Sequence, residues 1–514
     1  VHENKSIFEC AAAIIENTAD CEGQEQGLSR LTSITDEALI ALDNLQDSAG
    51  NLFSPTLRLG VTGLSRAGKT VFITSLIHNL LHGGRLPLFE AHASGRISRA
   101  ELKPQPSMNL PRFQYEGHIR TLLEKRQWPD STRAISEVRL TIHYESASAW
   151  SRRFGAGTLN LDIVDYPGEW LLDLPLLGMT FEQWSQQALA LARLGERKKL
   201  SREWLAVLAK TNPEEVANEQ EALTLSELFT SYLRQCRSDE TALSTLPPGR
   251  FLMPGDLEGS PALTFAPLDL EGEQQPQKDS LHEMMARRFE AYKDVVVRPF
   301  FREHFARLDR QIVLVDALQA INAGPAALAD LEAALAEILA CFKTGTNSWL
   351  SSLLVRRIDR ILFAATKADH LHHENHDRME ALLERLVERA MARARYSGAK
   401  VDVVALAAIR ATREGEVREG GETYPVITGT PMSGESINGT QFKGDRETAI
   451  FPGDLPLDPS LLFDDNPAND PEVDLRFVRF RPPGLEKTAE GLTLSLPHIR
   501  LDRALSFLLA DQLA

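Results

Sequence analysis

The stretch "GLSRAGKT", residues 63–70, has the residue types and spacing of an anion cradle. Gly63 and Gly68 let the chain turn tightly. The N–H groups of Ser65, Arg66, Ala67, Gly68, Lys69, Thr70 and Val71 can then converge on a phosphate chain. Lys69 would neutralise the β- and γ-phosphates of a nucleotide, and the Thr70 hydroxyl would face a magnesium ion. The alternative is a glycine-rich turn that matches by chance. Arg66 either reaches the γ-phosphate from within the loop, meets a second copy of the chain in a homodimer, or is solvated.

A second run, "TLNLDIVDYPGEW" (158–170), is an apolar strand ending in Asp165. A carboxylate there can anchor a nucleotide-bound magnesium ion. The Gly168 N–H can bond a γ-phosphate oxygen, whereas an ordinary Pro-Gly turn is the plain alternative. Glu169 stands where many GTPases place a water-orienting glutamine; an ionised glutamate accepts but cannot donate, so intrinsic hydrolysis should be slow. In the polar loop before the alternating strand 138–144, Thr132 would complete the metal shell and let go after hydrolysis, with Ser131 or a plain loop role as alternatives. Lys69, Thr132, Gly168 and Glu169 thus make the expected catalytic set, and Thr70, Thr132 and Asp165 the expected metal set.

The base is read farther on. "ILFAATKADH" (361–370) is an apolar strand opening into Thr366-Lys367-Ala368-Asp369. A carboxylate can accept from both N1–H and the N2 amino group of guanine, donors that adenine lacks at those positions. The Lys367 stem can lie along base and ribose. GTPases of the P-loop class usually carry asparagine where Thr366 stands. Ala408 and Ile409 occupy the place of the Ser-Ala-Lys loop whose N–H contacts guanine O6, without its serine and lysine. The combination "TGLSRAGKTVF", "WPDST", "IVDYPGEWLLDLPLL" and "FAATKADH" resembles the YcjX family of bacterial, stress-associated GTPase-like proteins over nearly the whole chain. That resemblance implies GTP and GDP binding, a Ras-like core with large additions, and a link to an inner-membrane partner and envelope stress.

Elements must hold these residues in place. A strand over 56–61 runs into the loop, and a helix with apolar residues at Phe72, Ile73, Leu76, Ile77, Leu80 and Leu81 leaves it. Strands at 312–315, 361–364 and 400–412 alternate with helical patterns, which predicts a mostly parallel sheet covered on both faces. The short link from Tyr144 to Leu159 suits an antiparallel hairpin. The expected fold class is therefore α/β: a P-loop NTPase with a Ras-like core and one antiparallel strand. Its expected parts are a helical segment at 1–54, core halves at 55–170 and 308–412, a helical insertion at 171–307 and a β-rich appendage at 413–514 with a final helix. The insertion follows Glu169 directly, so nucleotide state is expected to move it.

Composition bounds the rest. The formal charge of −16 argues against whole-protein affinity for nucleic acid. Four cysteines, Cys10, Cys21, Cys236 and Cys341, stand far apart without a CxxC pair, as reduced thiols of a cytoplasm do. The start "VHENKSIFEC" lacks the pattern of a secretory signal, and its first residue is not methionine, so an amino-terminal piece is expected to be missing. A cytoplasmic location, peripheral to the inner membrane through a partner, is expected. "RLGERKKLSR" (193–202) reads as an exposed basic loop, with anionic lipid as the alternative. "DHLHHENHD" (369–377) reads as a solvated histidine-rich helix start; metal binding through His372 and His376 is the alternative, with no distant acid or thiol to join it. The readings carried alongside a GTPase switch are a nucleotide-stabilised scaffold that barely hydrolyses, and an ATPase.

Overall fold

The computed structural model describes residues 55–514 except 65, 131, 133, 148–156, 238–242, 244–245, 271, 273–275, 341–357, 420, 438, 464–474, 476 and 485–494. Ser65, Ser131 and the helical reading of 1–54 lie outside the described residues.

Seven strands form the central sheet: β1 (Thr56–Gly63), β2 (Ile97–Lys103), β3 (Ser136–Tyr144), β4 (Gly157–Asp165), β5 (Arg310–Val315), β6 (Arg360–Thr366) and β7 (Lys400–Leu406). Their order is β2-β3-β4-β1-β5-β6-β7. The β1–β4, β1–β5, β5–β6 and β6–β7 pairs are parallel, and β3 runs against both β2 and β4. One strand is thus reversed in a mostly parallel sheet. β2, "ISRAELK", alternates only at Ala100 and Leu102 and is an edge strand, too short a pattern for the sequence to reveal. β7 stops at Leu406, short of the expected Thr412, because Ala407 turns aside to bridge Ile499.

The register places the functional ends together. Val61 pairs with Asp165, Gly63 with Leu314, Val315 with Ala365 and Thr366 with Leu406. The carboxyl ends of five parallel strands therefore share one edge, where ligands of open α/β sheets bind.

Alternation along the strands assigns two faces. Ile312, Leu314, Leu362 and Ala364 pack with helix α1 (Lys69–Leu81), through Phe72, Ile73, Leu76 and Ile77. Leu501, Leu505 and Leu508 of the terminal helix 501–509 cover the same face. That helix, read in sequence with the appendage, belongs to the central core. Val313, Val315, Ile361 and Phe363 point the other way, against the helices Pro325–Ala340 and His376–Tyr396.

Between β4 and β5 lie helices Phe181–Ala192, Glu219–Cys236 and Leu281–Tyr292, packed on an aromatic core. Trp184 stacks on Phe289 at 5.1 Å, and Trp204 on Tyr232 at 5.5 Å. After β7, strands β8 (Arg413–Glu419), β9 (Glu422–Gly429) and Thr448–Ile450 form a small antiparallel sheet. Among the described residues of 477–483, Phe480 forms an isolated bridge to Pro431, next to two prolines that lack an N–H to donate. Among the described residues no helix is long and apolar enough to cross a membrane.

Candidate functional site

Gly68 caps α1 with left-handed backbone, φ 88°, and offers no side-chain cap. The first N–H groups of α1 have no carbonyl within the helix, so the loop keeps an unsatisfied, positive end for an anion. Lys69 is buried, and its ammonium donates to Gly63 O at 2.8 Å and Leu64 O at 3.3 Å. Desolvation lowers its pKa, opposed by the negative field of Asp165 and Glu169.

Three oxygen-bearing side chains meet beside it. Thr70 Oγ1 lies 3.2 Å from Thr132 Oγ1, which donates to Asp165 Oδ2 at 2.8 Å. Burial raises Asp165 to about 6, against the pull of the Lys69 ammonium. Its Oδ1 is buried with no hydrogen-bond partner. An orphaned carboxylate oxygen beside two hydroxyls is a hard donor set, and it fits Mg²⁺. Gly168 backs this cluster: a Cβ there would stand 2.1 Å from Gly63 O, so only glycine lets the two loops approach.

The residues expected to read the base stand at the ends of neighbouring strands. Thr366 Oγ1 donates to Val315 O at 3.3 Å, so its hydroxyl serves the junction between β5 and β6. Lys367 has left-handed backbone, φ 64°, and its ammonium is paired with Asp316, a carboxylate that the sequence motifs do not single out. Asp369 Oδ2 accepts from the Ala411 N–H at 2.8 Å, and burial pushes this carboxyl up to about 6.

A cavity of about 610 Å³ joins the two ends. That volume is in the range of small-molecule and cofactor sites, about 300–1,000 Å³. Arg66, Ala67, Gly68, Lys69, Thr70, Val71, Thr132, Glu169, Lys367, Asp369, Ala408 and Ile409 all line it. Gly63, Asp165 and Gly168 stand behind that lining and act on it through Lys69, Thr132 and the loop contact described above. Met432, Glu435 and Phe477–Phe480, from beyond β9, supply a wall that no local motif announces.

Glu169 is buried, and its Oε1 lies 2.6 Å from a guanidinium nitrogen of Arg237, at the end of helix Glu219–Cys236. This is an ion pair without hydrogen-bond geometry, since that oxygen has no hydrogen-bond partner. Burial lowers both Lys69 and Arg66, and the field of Arg237 adds to that. The histidine run is not a solvated helix start. His370, His372 and His376 are buried, because the chain beyond β7 packs over them: Phe480 meets the His370 ring edge-on at 5.3 Å. Burial lowers His370 to about 3, and His376 Nε2 is 2.9 Å from Ala368 O, so neither faces outward as a ligand.

A glycine-rich strand-to-helix loop at the carboxyl edge of a mostly parallel sheet, with one reversed strand, defines an α/β protein of the P-loop, GTPase-like class. Within that class, residues 57–513 match the family described as "YcjX-like family, DUF463", and the chain belongs to that family. It is similar to the "Ras-like GTPase YcjX" of Escherichia coli (strain K12), 38% identical over 469 residues, covering 89% of this chain and 96% of that protein. It is also similar to the "Ras-like GTPase YcjX" of Shewanella oneidensis (strain MR-1), 34% identical over 482 residues, covering 89% and 94%.

Proposed function

We propose that the chain is a guanine-nucleotide switch that hydrolyses GTP slowly with magnesium. The observation that carries this is one cavity holding Lys69 and Thr70 at one end and Asp369 at the other, with the Thr70–Thr132–Asp165 cluster beneath it. The names of the two relatives agree with it.

The residues divide the work. Backbone N–H groups of the loop and Lys69 hold the β- and γ-phosphates. Magnesium, when bound, would draw charge off those phosphates, held by Thr70, Thr132 and Asp165. Gly168 packs against the phosphate loop, where its N–H would meet a γ-phosphate. Water oxygen bonds the γ-phosphorus while the bond to the β,γ-bridging oxygen breaks. The electron pair stays with GDP, and the water protons end on inorganic phosphate and solvent.

Calorimetry of the full chain with GDP and ADP tests the base reading. Asp369→Asn should lose at least about a hundredfold in GDP affinity and gain xanthosine diphosphate, whose 2-carbonyl accepts where guanine donates. Equal affinity for GDP and ADP in the native chain would return the ATPase reading.

A second reading, a nucleotide-stabilised scaffold with little turnover, is favoured by the Glu169–Arg237 pair, which engages the carboxylate expected to steer water. Single-turnover GTP hydrolysis by Glu169→Ala tests that carboxylate: a slower rate keeps it in the mechanism, an unchanged one removes it; turnover with and without candidate partners separates the two readings. An inner-membrane partner and a part in envelope stress rest on family resemblance, a homodimer on Arg66 meeting a second copy of the chain, and all belong to either reading.

A further inference from the structure

Beyond the nucleotide reading, and independent of it, a second site stands on the outer side of the segment that follows Asp369. One ligand atom each from His372, His373 and Glu374 lie within 4.8 Å of one another. None of the three lines the nucleotide cavity.

We propose that His372, His373 and Glu374, braced by Glu414, bind a first-row divalent ion of the zinc type. His372 carries the argument. Its side chain is only 10% exposed, and its Nδ1 is buried without a hydrogen-bond partner, 3.7 Å from Glu374 Oε2. A buried imidazole nitrogen left without a hydrogen bond is costly. Around a tetrahedral ion with bonds of about 2.0–2.2 Å, neighbouring ligand atoms stand roughly 3.3–3.6 Å apart. The Nδ1–Oε2 separation is already close to that, and the exposed side chains of His373 and Glu374 can close the remainder.

Glu414 supplies the brace, and it comes from β8, far along the chain. Its Oε2 lies 2.7 Å from His373 Nδ1, while its Oε1 accepts from Arg410 at 3.1 Å. A histidine whose one ring nitrogen is held by a carboxylate presents the other in a fixed direction, the usual support of a metal-bound imidazole. Two imidazoles with one carboxylate suit zinc better than magnesium or calcium, which take oxygen ligands. The Glu414–His373 contact would then tie the ion-bound segment to β8, outside the central sheet.

The test titrates the full chain with Zn²⁺ alone, without nucleotide, and records the visible absorption of the Co²⁺-loaded protein. One ion per chain at micromolar affinity is expected, with a Co²⁺ spectrum free of a thiolate charge-transfer band. His372→Ala and the milder, exposed Glu374→Gln should each weaken binding at least tenfold, and Glu414→Gln by about 10–100-fold as a bracing residue. GDP affinity, measured alongside, should stay unchanged in Glu374→Gln, which confirms its fold. The proposal is overturned by a native chain that takes up no Zn²⁺, by variants that bind as tightly as the native chain, or by a thiolate band that assigns the ion to cysteine.

Discussion

Asp165 and Asp369 are both carboxyls that burial raises to about 6. An exposed aspartate titrates near about 3.9. The folded protein therefore holds more protons than the unfolded chain between about 4 and 6, and its stability falls as pH rises through that window. Ligands reverse the preference. A magnesium ion needs Asp165 ionised, and guanine N1–H and N2–H₂ need Asp369 ionised, so binding releases protons. Affinity for GDP with Mg²⁺ should accordingly rise from pH 5 to pH 7 and then level off. Calorimetry in buffers of different ionisation enthalpy would count the protons released. Asp165→Asn should remove one of the two steps, and should weaken binding in Mg²⁺ more than in EDTA. A flat profile would mean that neither carboxylate meets the ligand.

At the scale of elements, the segment from Gly168 to Gly178 is clamped on both sides. Its start packs on the phosphate loop, and a Cβ added to Gly249 would stand 1.8 Å from Glu169 O. Asp173 accepts from the Tyr292 hydroxyl at 2.6 Å and from the Gly249 N–H at 2.6 Å, and burial pushes it up to about 7. A shift at Gly168 therefore presses directly on the aromatic helical body. Hydrogen exchange in 168–178 and 249–251 should differ between GDP and a non-hydrolysable GTP analogue, and identical protection would disconnect the two. Gly249→Ala forces the clamp apart; overpacking of this kind costs about 1–3 kcal/mol, and a lower melting temperature would register it. The clamp also shows what a sequence can and cannot reveal. The phosphate loop and the strands β1, β4, β5 and β6 are local patterns, legible from glycine spacing and apolar runs. The Gly249–Glu169 approach, the Arg237 ion pair and the reach of Glu414 to His373 join positions far apart in the chain. Periodicity carries no information on such pairs. β2 escaped for a different reason: its apolar alternation is confined to Ala100 and Leu102, half-buried at the sheet edge.

At the scale of the whole molecule, the end of the chain is tied to the start of the site. The Leu496 N–H donates to Asn79 Oδ1 at 3.0 Å, and Ile499 bridges Ala407, beside the residues that line the base end of the cavity. The fastening beneath is Arg310, fully buried on β5 and held by Asp511 at 2.6 Å and Asp359 at 3.1 Å. Breaking a buried pair costs about 3–5 kcal/mol when the remaining charge loses all support. Here Asp359 stays and Asp511 is one-third exposed, so the loss in Asp511→Ala should be nearer about 2 kcal/mol. That magnitude is small enough for a ligand to offset. A nucleotide at a hundred times its dissociation constant stabilises the folded state by about 2.7 kcal/mol. Asp511→Ala should therefore melt several degrees below the native chain without nucleotide. With GDP and Mg²⁺ in that excess, it should melt at about the native, nucleotide-free temperature. A variant that melts early and is not rescued by GDP would show that the terminal helix is needed to form the base end of the site. One that melts unchanged would show that Asp359 and the Leu508 carbonyl support Arg310 without Asp511.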